Sequence, residues 1–96
     1  MTELVETAAF ARWFAGLRDP EARARVLVRL RRLSLGNVGD VRPIGRGLSE
    51  LRIDYGPGYR VYIRQQPDGP VVLLLGGTKK TQAWDIQQAL RLWEEE

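Results

Sequence analysis

Two short runs of alternating residues, joined by four turn-formers, constrain this chain more than anything else in it. From Leu48 to Asp54, Leu51 and Ile53 share one parity and Glu50, Arg52 and Asp54 the other. From Tyr59 to Gln65, Tyr59, Val61 and Ile63 share one parity and Arg60, Tyr62 and Arg64 the other. A period of two is the signature of a strand with one covered face. Tyr55-Gly56-Pro57-Gly58 between them has turn composition. The pattern predicts an antiparallel hairpin whose apolar face must be covered by other elements.

The flanking sequence supplies that cover. Thr7 is placed to cap a first helix, with Phe10, Trp13, Phe14 and Leu17 at helical spacing. Asp19-Pro20 reads as an N-cap followed by proline at the first helical position, opening a second helix to about Ser34. Its apolar stripe is Ala22, Val26, Leu30 and Leu33, and Gly36 suits its stop. So short a break predicts a helical hairpin. The glycines and Pro43 between Gly36 and Gly47 predict a loop. Glu3–Glu6 suits a short edge strand. Val71–Leu75, apolar throughout, suits a central strand covered on both faces, ended by Gly76-Gly77. Thr81 is placed to cap a last helix with Ile86, Ala89, Leu90 and Trp93 inward. Trp93, beside the acidic tail Glu94–Glu96, suits either the end of that core stripe or a partner surface. The expectation is one domain over 1–96, of α+β class: an N-terminal helical hairpin on a mostly antiparallel four-stranded sheet, then a C-terminal helix.

Composition narrows the chemistry. The 96 residues include no Cys and no His. Disulfides, thiolate metal sites and every His-based dyad are therefore excluded, and Arg, Lys, Asp, Glu, Tyr and backbone amides remain. No metal and no cofactor are expected. The longest clean apolar run is too short to span a bilayer. The N-terminus carries acids where a secretory signal needs positive charge. The expected location is cytoplasmic, without a membrane partner.

Net charge is +3, but twelve arginines between Arg12 and Arg64 face only five acids. Arg grips phosphate through a planar fork and stacks on bases, so a polyanionic partner is favoured over solvated helix faces alone. Strand parity locates the chemistry. With Leu51, Ile53, Val61 and Ile63 turned to the helices, Glu50, Arg52, Arg60, Tyr62 and Arg64 share the opposite face, which a bound phosphate would stabilise. Lys79 or Lys80 is placed to join them from beyond the last strand. Such a cluster suits metal-independent RNA cleavage: a ribose 2′-hydroxyl attacks the adjacent phosphorus while cations hold the phosphorane oxygens. Without His the base is sought among carboxylates and perturbed Lys or Tyr. Glu50 and Lys79 are the candidates, with pairing to a cross-strand Arg the favoured role of Glu50.

The run from Gly47 to Tyr62, GLSELRIDYGPGYRVY, resembles the signature hairpin of the RelE/ParE toxin superfamily, and more closely its HigB-like, phage-derived addiction-module branch. Arg29–Leu33 followed by Gly36–Asp40, the segment Leu73–Gln82, and Asp85-Ile86 are similar to the same branch. The resemblance implies the toxin of a type II toxin–antitoxin system: an mRNA endoribonuclease that enters the ribosome, inhibits translation and arrests growth. It implies a cognate antitoxin of helix-turn-helix type, with operator DNA reached only through that antitoxin. A gyrase poison of ParE type, or an inert antitoxin-binding module, are the alternatives. Catalysis is expected from Arg60, Lys79, Arg52 and Glu50, and RNA binding from Arg42, Arg46, Tyr62, Arg64 and Lys80. The family's C-terminal Tyr or His has no counterpart here; Trp84 and Asp85 occupy that region.

Overall fold

The computed structural model describes residues 1–95; Glu96, the last acid of the tail, lies outside them. In chain order come β1 (Leu4–Glu6), α1 (Ala8–Ala15), α2 (Pro20–Ser34), β2 (Val41–Gly45), β3 (Leu48–Ile53), β4 (Tyr59–Arg64) and β5 (Val71–Thr78). A 3₁₀ turn, Lys79–Thr81, then leads into α3 (Gln82–Glu95). The sheet order is β1-β5-β4-β3-β2. β1 runs parallel to β5 and every other pair is antiparallel. The hairpin forms as its parity predicts, from Leu48 opposite Arg64 to Ile53 opposite Tyr59.

The class is α+β, with five strands in place of the expected four. The additional one, β2, falls in the segment that glycine and Pro43 mark as a loop. Pro43 is tolerated because β2 is the outer strand, where a missing N–H breaks no ladder. The pairing with β3 shifts register between Pro43 and Gly45.

The helix ends follow local chemistry. Thr7 Oγ1 accepts from the Phe10 amide and donates to the Leu74 carbonyl at 2.7 Å, pinning α1 to β5. Asp19 accepts from the Glu21 amide, and Pro20 opens α2. At the other end Gly36 adopts φ 91°, its amide donating to Leu33 O and that of Asn37 to Arg32 O. This doubly bonded stop is favourable in the left-handed region that glycine enters without penalty.

α1 lies along β5 and α2 reaches β3, on the same face of the sheet. Phe10, Val26, Leu30 and Leu33 pack there on Leu51, Ile53, Val61, Ile63, Val71 and Leu73. The opposite face departs from expectation. α3 crosses it, and Ala89, with Ile86, Leu90 and Trp93, packs on Leu48, Tyr62, Val72 and Leu74. The polar face of the hairpin is therefore partly an interior. Glu50 and Tyr62 have no exposed surface and Arg60 has 7%.

Gly76 and Gly77 do not end β5, which continues to Thr78. They sit under neighbours instead. A Cβ on Gly76 would stand 2.1 Å from the Trp13 ring on one face, and a Cβ on Gly77 1.9 Å from Asp85 Oδ2 on the other. Both helical layers approach the sheet at these two positions because no side chain is in the way. Among the described residues no helix is long and apolar enough to cross a membrane.

Candidate functional site

One cross-strand row organises the chemistry. Arg52 stands opposite Arg60, and Arg60 opposite Gly77, on three adjacent strands. Asp40, just before β2, continues the row: its carbonyl accepts from the Arg52 amide. The row opens into a cleft of about 460 Å³, lined by Asp40, Arg52, Asp54, Gly56, Pro57, Gly58, Arg60 and Lys79. Three cations and two carboxylates thus share one solvent-filled space.

The cleft is held by its glycine turn. The Gly58 amide donates to Tyr55 O, closing the turn. The Gly58 carbonyl then accepts from the Lys79 amide at 2.8 Å and from Arg60 Nη1 at 3.2 Å. One peptide unit thus joins the β3–β4 turn, β4 and the start of the 3₁₀ turn, which sets Arg60 and Lys79 side by side. Tyr55 braces the turn from outside. Its hydroxyl donates to Asp19 Oδ2 at 2.8 Å, and the Arg25 guanidinium sits 4.7 Å from its ring centre. The Asp19 bond pushes the Tyr55 phenol up and holds the Asp19 carboxyl below its ordinary value. On the far rim Arg29 of α2 donates to the carbonyls of Val38, Asp40 and Arg52. Arg29, part of the basic stretch that suggested a polyanion partner, is thus committed to the fold.

Behind the cleft lies a buried polar layer under α3. Arg60 Nε faces Glu50 Oε1 at 3.5 Å, with side chains 8% and 0% exposed. Gln82 donates to Glu50 Oε2 at 2.7 Å, and Thr81 Oγ1 donates to Asp85 Oδ2. Burial pushes the Asp85 carboxyl up, the Thr81 bond drawing it partly back. Burial, then the nearby carboxylates of Glu50 and Asp85, push the Tyr62 phenol up strongly. The motif residues Thr81 and Gln82 are thereby explained: each donates to one oxygen of a buried carboxylate.

The structure gathers Arg52, Arg60 and Lys79 and disperses the rest of the expected set. Glu50 sits beneath Arg60, held by Gln82, and does not open on the cleft. Tyr62 is sealed under α3. Strand parity alone puts both on an open face; the docking of α3 closes it over them. Arg64 stands at the far end of β4, its guanidinium 4.2 Å from the Trp93 ring centre. Trp93 packs partly buried against the α3 core, as one of its two readings held. Arg46, beyond β2, pairs with Glu94, and Arg42 is exposed on the outer strand. Lys80 is exposed, next to Lys79 but outside the cleft lining. Sequence reasoning missed Asp40 and Asp54 as cleft residues. Asp54 continues the parity of Arg52 and was legible; Asp40 was not, because β2 was read as a loop. Among the described residues no three acidic side chains gather to hold a metal ion.

The matches to known proteins extend over most of the chain. The chain is 43% identical over 93 residues to a protein of Haemophilus influenzae (strain ATCC 51907 / DSM 11121 / KW20 / Rd) described as "Uncharacterized protein", covering 97% of this chain and 94% of that one. Residues 12–93, which run from α1 through the cleft to the end of the α3 stripe, match the family described as Phage derived protein Gp49-like (DUF891), and the chain belongs to that family.

Proposed function

We propose that this chain is the toxin of a type II toxin–antitoxin system and that it cuts mRNA in the translating ribosome. The observation that carries this reading is the cleft itself: Arg52, Arg60 and Lys79 meet around a glycine turn with room for a phosphodiester. The likeness of the hairpin to the RelE/ParE superfamily, HigB-like branch, supports it.

In this reading the scissile phosphate sits among the three cations. The ribose 2′-oxygen attacks phosphorus in line, the P–O5′ bond breaks, and a 2′,3′-cyclic phosphate and a 5′-hydroxyl end form. Arg60 and Arg52 hold the non-bridging oxygens as charge builds on them, and Lys79, beside Arg60, neutralises the same charge. The proton of the 2′-hydroxyl passes to a cleft carboxylate, Asp54 or Asp40, while Lys79 stays protonated; Glu50 instead fixes Arg60 from behind. The leaving 5′-oxygen takes its proton from the Lys79 ammonium, which regains one from the cleft carboxylic acid formed in the first step, and the products leave. The partners are the ribosome, mRNA and a cognate antitoxin of helix-turn-helix type, and the site of action is the cytoplasm.

The test is expression without an antitoxin and mapping of new RNA 5′ ends. Cuts confined to translated frames, lost in Lys79→Ala and Arg60→Ala, are expected. Lys79 is exposed and its variant folds independently of the buried Glu50–Arg60 pair. Growth arrest without new RNA ends would overturn the nuclease reading in favour of a ParE-like gyrase poison. Absence of arrest would leave an antitoxin-binding module.

A further inference from the structure

Trp84 is the one large aromatic side chain among the described residues that is left mostly in water, 63% exposed. It stands in the first turn and a half of α3, on a helix otherwise docked firmly on the sheet. Its neighbours Asp85, Ile86, Ala89 and Leu90 all turn inward, so the exposure is not a consequence of a frayed helix. Burying a Trp ring normally contributes more than burying any other side chain, and a soluble surface gains nothing by leaving one in water. The ring does not take part in an aromatic pair or a cation–π contact, whereas Trp13 and Trp93 each have a partner.

Its surroundings are specific. Trp84, Gln87 and Arg91 recur at spacings of three and four residues, so they form one ridge on the solvent side of α3; Lys80, in the 3₁₀ turn just before the helix, stands at its head, and all four are exposed. No acid lies on this ridge between Lys80 and Arg91: Asp85 is buried, and the exposed Glu94, paired with Arg46, and Glu95 continue it only after Arg91. The ridge starts beside Lys79, a wall of the cleft. From Lys79 to Trp84 the 3₁₀ turn and the first helical turn rise roughly 8 Å along the axis, the span of a nucleotide or two. A flat aromatic ring between two cations, continuous with a phosphate-sized cleft, has the make-up of a single-strand stacking platform.

We propose that Trp84 is a nucleobase-stacking subsite: a base one or two nucleotides from the phosphate in the cleft lies on the indole, with Lys80 and Arg91 contacting the neighbouring phosphates. The subsite rests on the reading of the cleft as an RNA site, and it adds an affinity element outside the reacting groups. Because every base has a π face, the platform favours occupancy over base identity, with purines gaining most from their larger rings.

The test is binding of the full chain to a short single-stranded oligoribonucleotide, methylated at every 2′-oxygen so that it cannot be cut, and to the same strand with abasic sugars. For the wild type, removal of the bases is expected to weaken binding. Trp84→Ala is expected to weaken binding to the intact strand by roughly 5- to 150-fold, the equivalent of about 1–3 kcal/mol per stacked base. Trp84→Ala should bind intact and abasic strands alike, and Trp84→Phe should retain most of the affinity. Lys80→Ala and Arg91→Ala should each lower the slope of log affinity against log salt by about 1. Since no strand is cut, these outcomes stand whether or not the chain is a nuclease. Base-dependent binding here, with no new RNA ends in the expression test of the proposed function, would overturn the nuclease reading and leave the subsite. Equal affinities of wild type and Trp84→Ala, or no binding by the wild type, would overturn the subsite. So would a Trp84→Ala variant that keeps RNA affinity and loses only a protein partner.

Discussion

Replacing Gly77 by alanine tests the arrangement behind the cleft most directly. Gly77 has ordinary extended backbone, so on conformational grounds alone alanine would stabilise by about 0.4–1 kcal/mol. The space is what forbids it. The new Cβ would stand 1.9 Å from Asp85 Oδ2 and 2.8 Å from its Cγ. Asp85 is only 5% exposed and its Oδ2 accepts from Thr81 Oγ1, so moving the carboxylate aside gives up that bond. Over-filling such a site costs about 1–3 kcal/mol, and displacing the carboxylate from Thr81 Oγ1 leaves a buried acceptor unmet for about 1–3 kcal/mol more. The net loss is about 2–5 kcal/mol, which in a domain of this size lowers the melting temperature by roughly 10–40 °C. Urea and thermal unfolding followed by circular dichroism would read it. The decisive arm is a double-mutant cycle. Asp85→Ala vacates the space, so the penalty of Gly77→Ala should shrink by at least about 1 kcal/mol in that background. An unchanged penalty, or a Gly77→Ala protein as stable as the wild type, refutes the account.

Four further outcomes are expected. Gln82→Leu strips Glu50 Oε2 of its donor and should destabilise by about 1–3 kcal/mol in urea unfolding, more than the same change at exposed Gln87. Lys79→Ala should leave the fold intact; on the proposed reading of the cleft as an mRNA-cutting site, it should slow the chemical step of single-turnover cleavage by about 10²–10³-fold, the usual effect of removing one charge-stabilising donor. Asp85, held above its ordinary 3.8 by burial, stabilises the fold most below pH 3.8, and that contribution is lost as pH rises through its folded value. Asp85→Asn should therefore gain on the wild type as unfolding is measured from pH 4 to pH 7. Tyr55→Phe removes the largest influence lowering Asp19, so the Asp19 carboxyl should titrate higher, back toward 3.8, by NMR.

Much of the framework was legible along the chain because it is local. The hairpin register follows from alternation on either side of one turn. The ends of α2 follow from Asp19-Pro20 and Gly36, whose preferences act within a few residues. The uniform apolarity of Val71–Leu75 placed that segment between two covered faces, and β5 does lie inside the sheet with helices on both sides. Arg52, Arg60 and Lys79 came together for the same reason: two share a parity on neighbouring strands, and the third follows the next strand. β2 was not legible, since its glycines and Pro43 oppose strand formation locally and only its pairing with β3 overrides them.

What alternation determines is that a strand has two faces and which residues share each. It does not say what will cover a face, because that depends on elements far off in the chain. A face bearing Glu50, Arg60 and Tyr62 reads as solvent-facing, since burying charge is costly unless each group meets a partner. The partner of Glu50 is Gln82, 32 residues on, and Asp85 finds its place only because Gly77, in another element, has no side chain. The composition of the α3 stripe specified a helix with one apolar face. Its seat on the back of the sheet, which turned an expected base into an interior anchor for Arg60 and left Trp84 in solvent beside the cleft, emerges only when these distant groups meet in three dimensions.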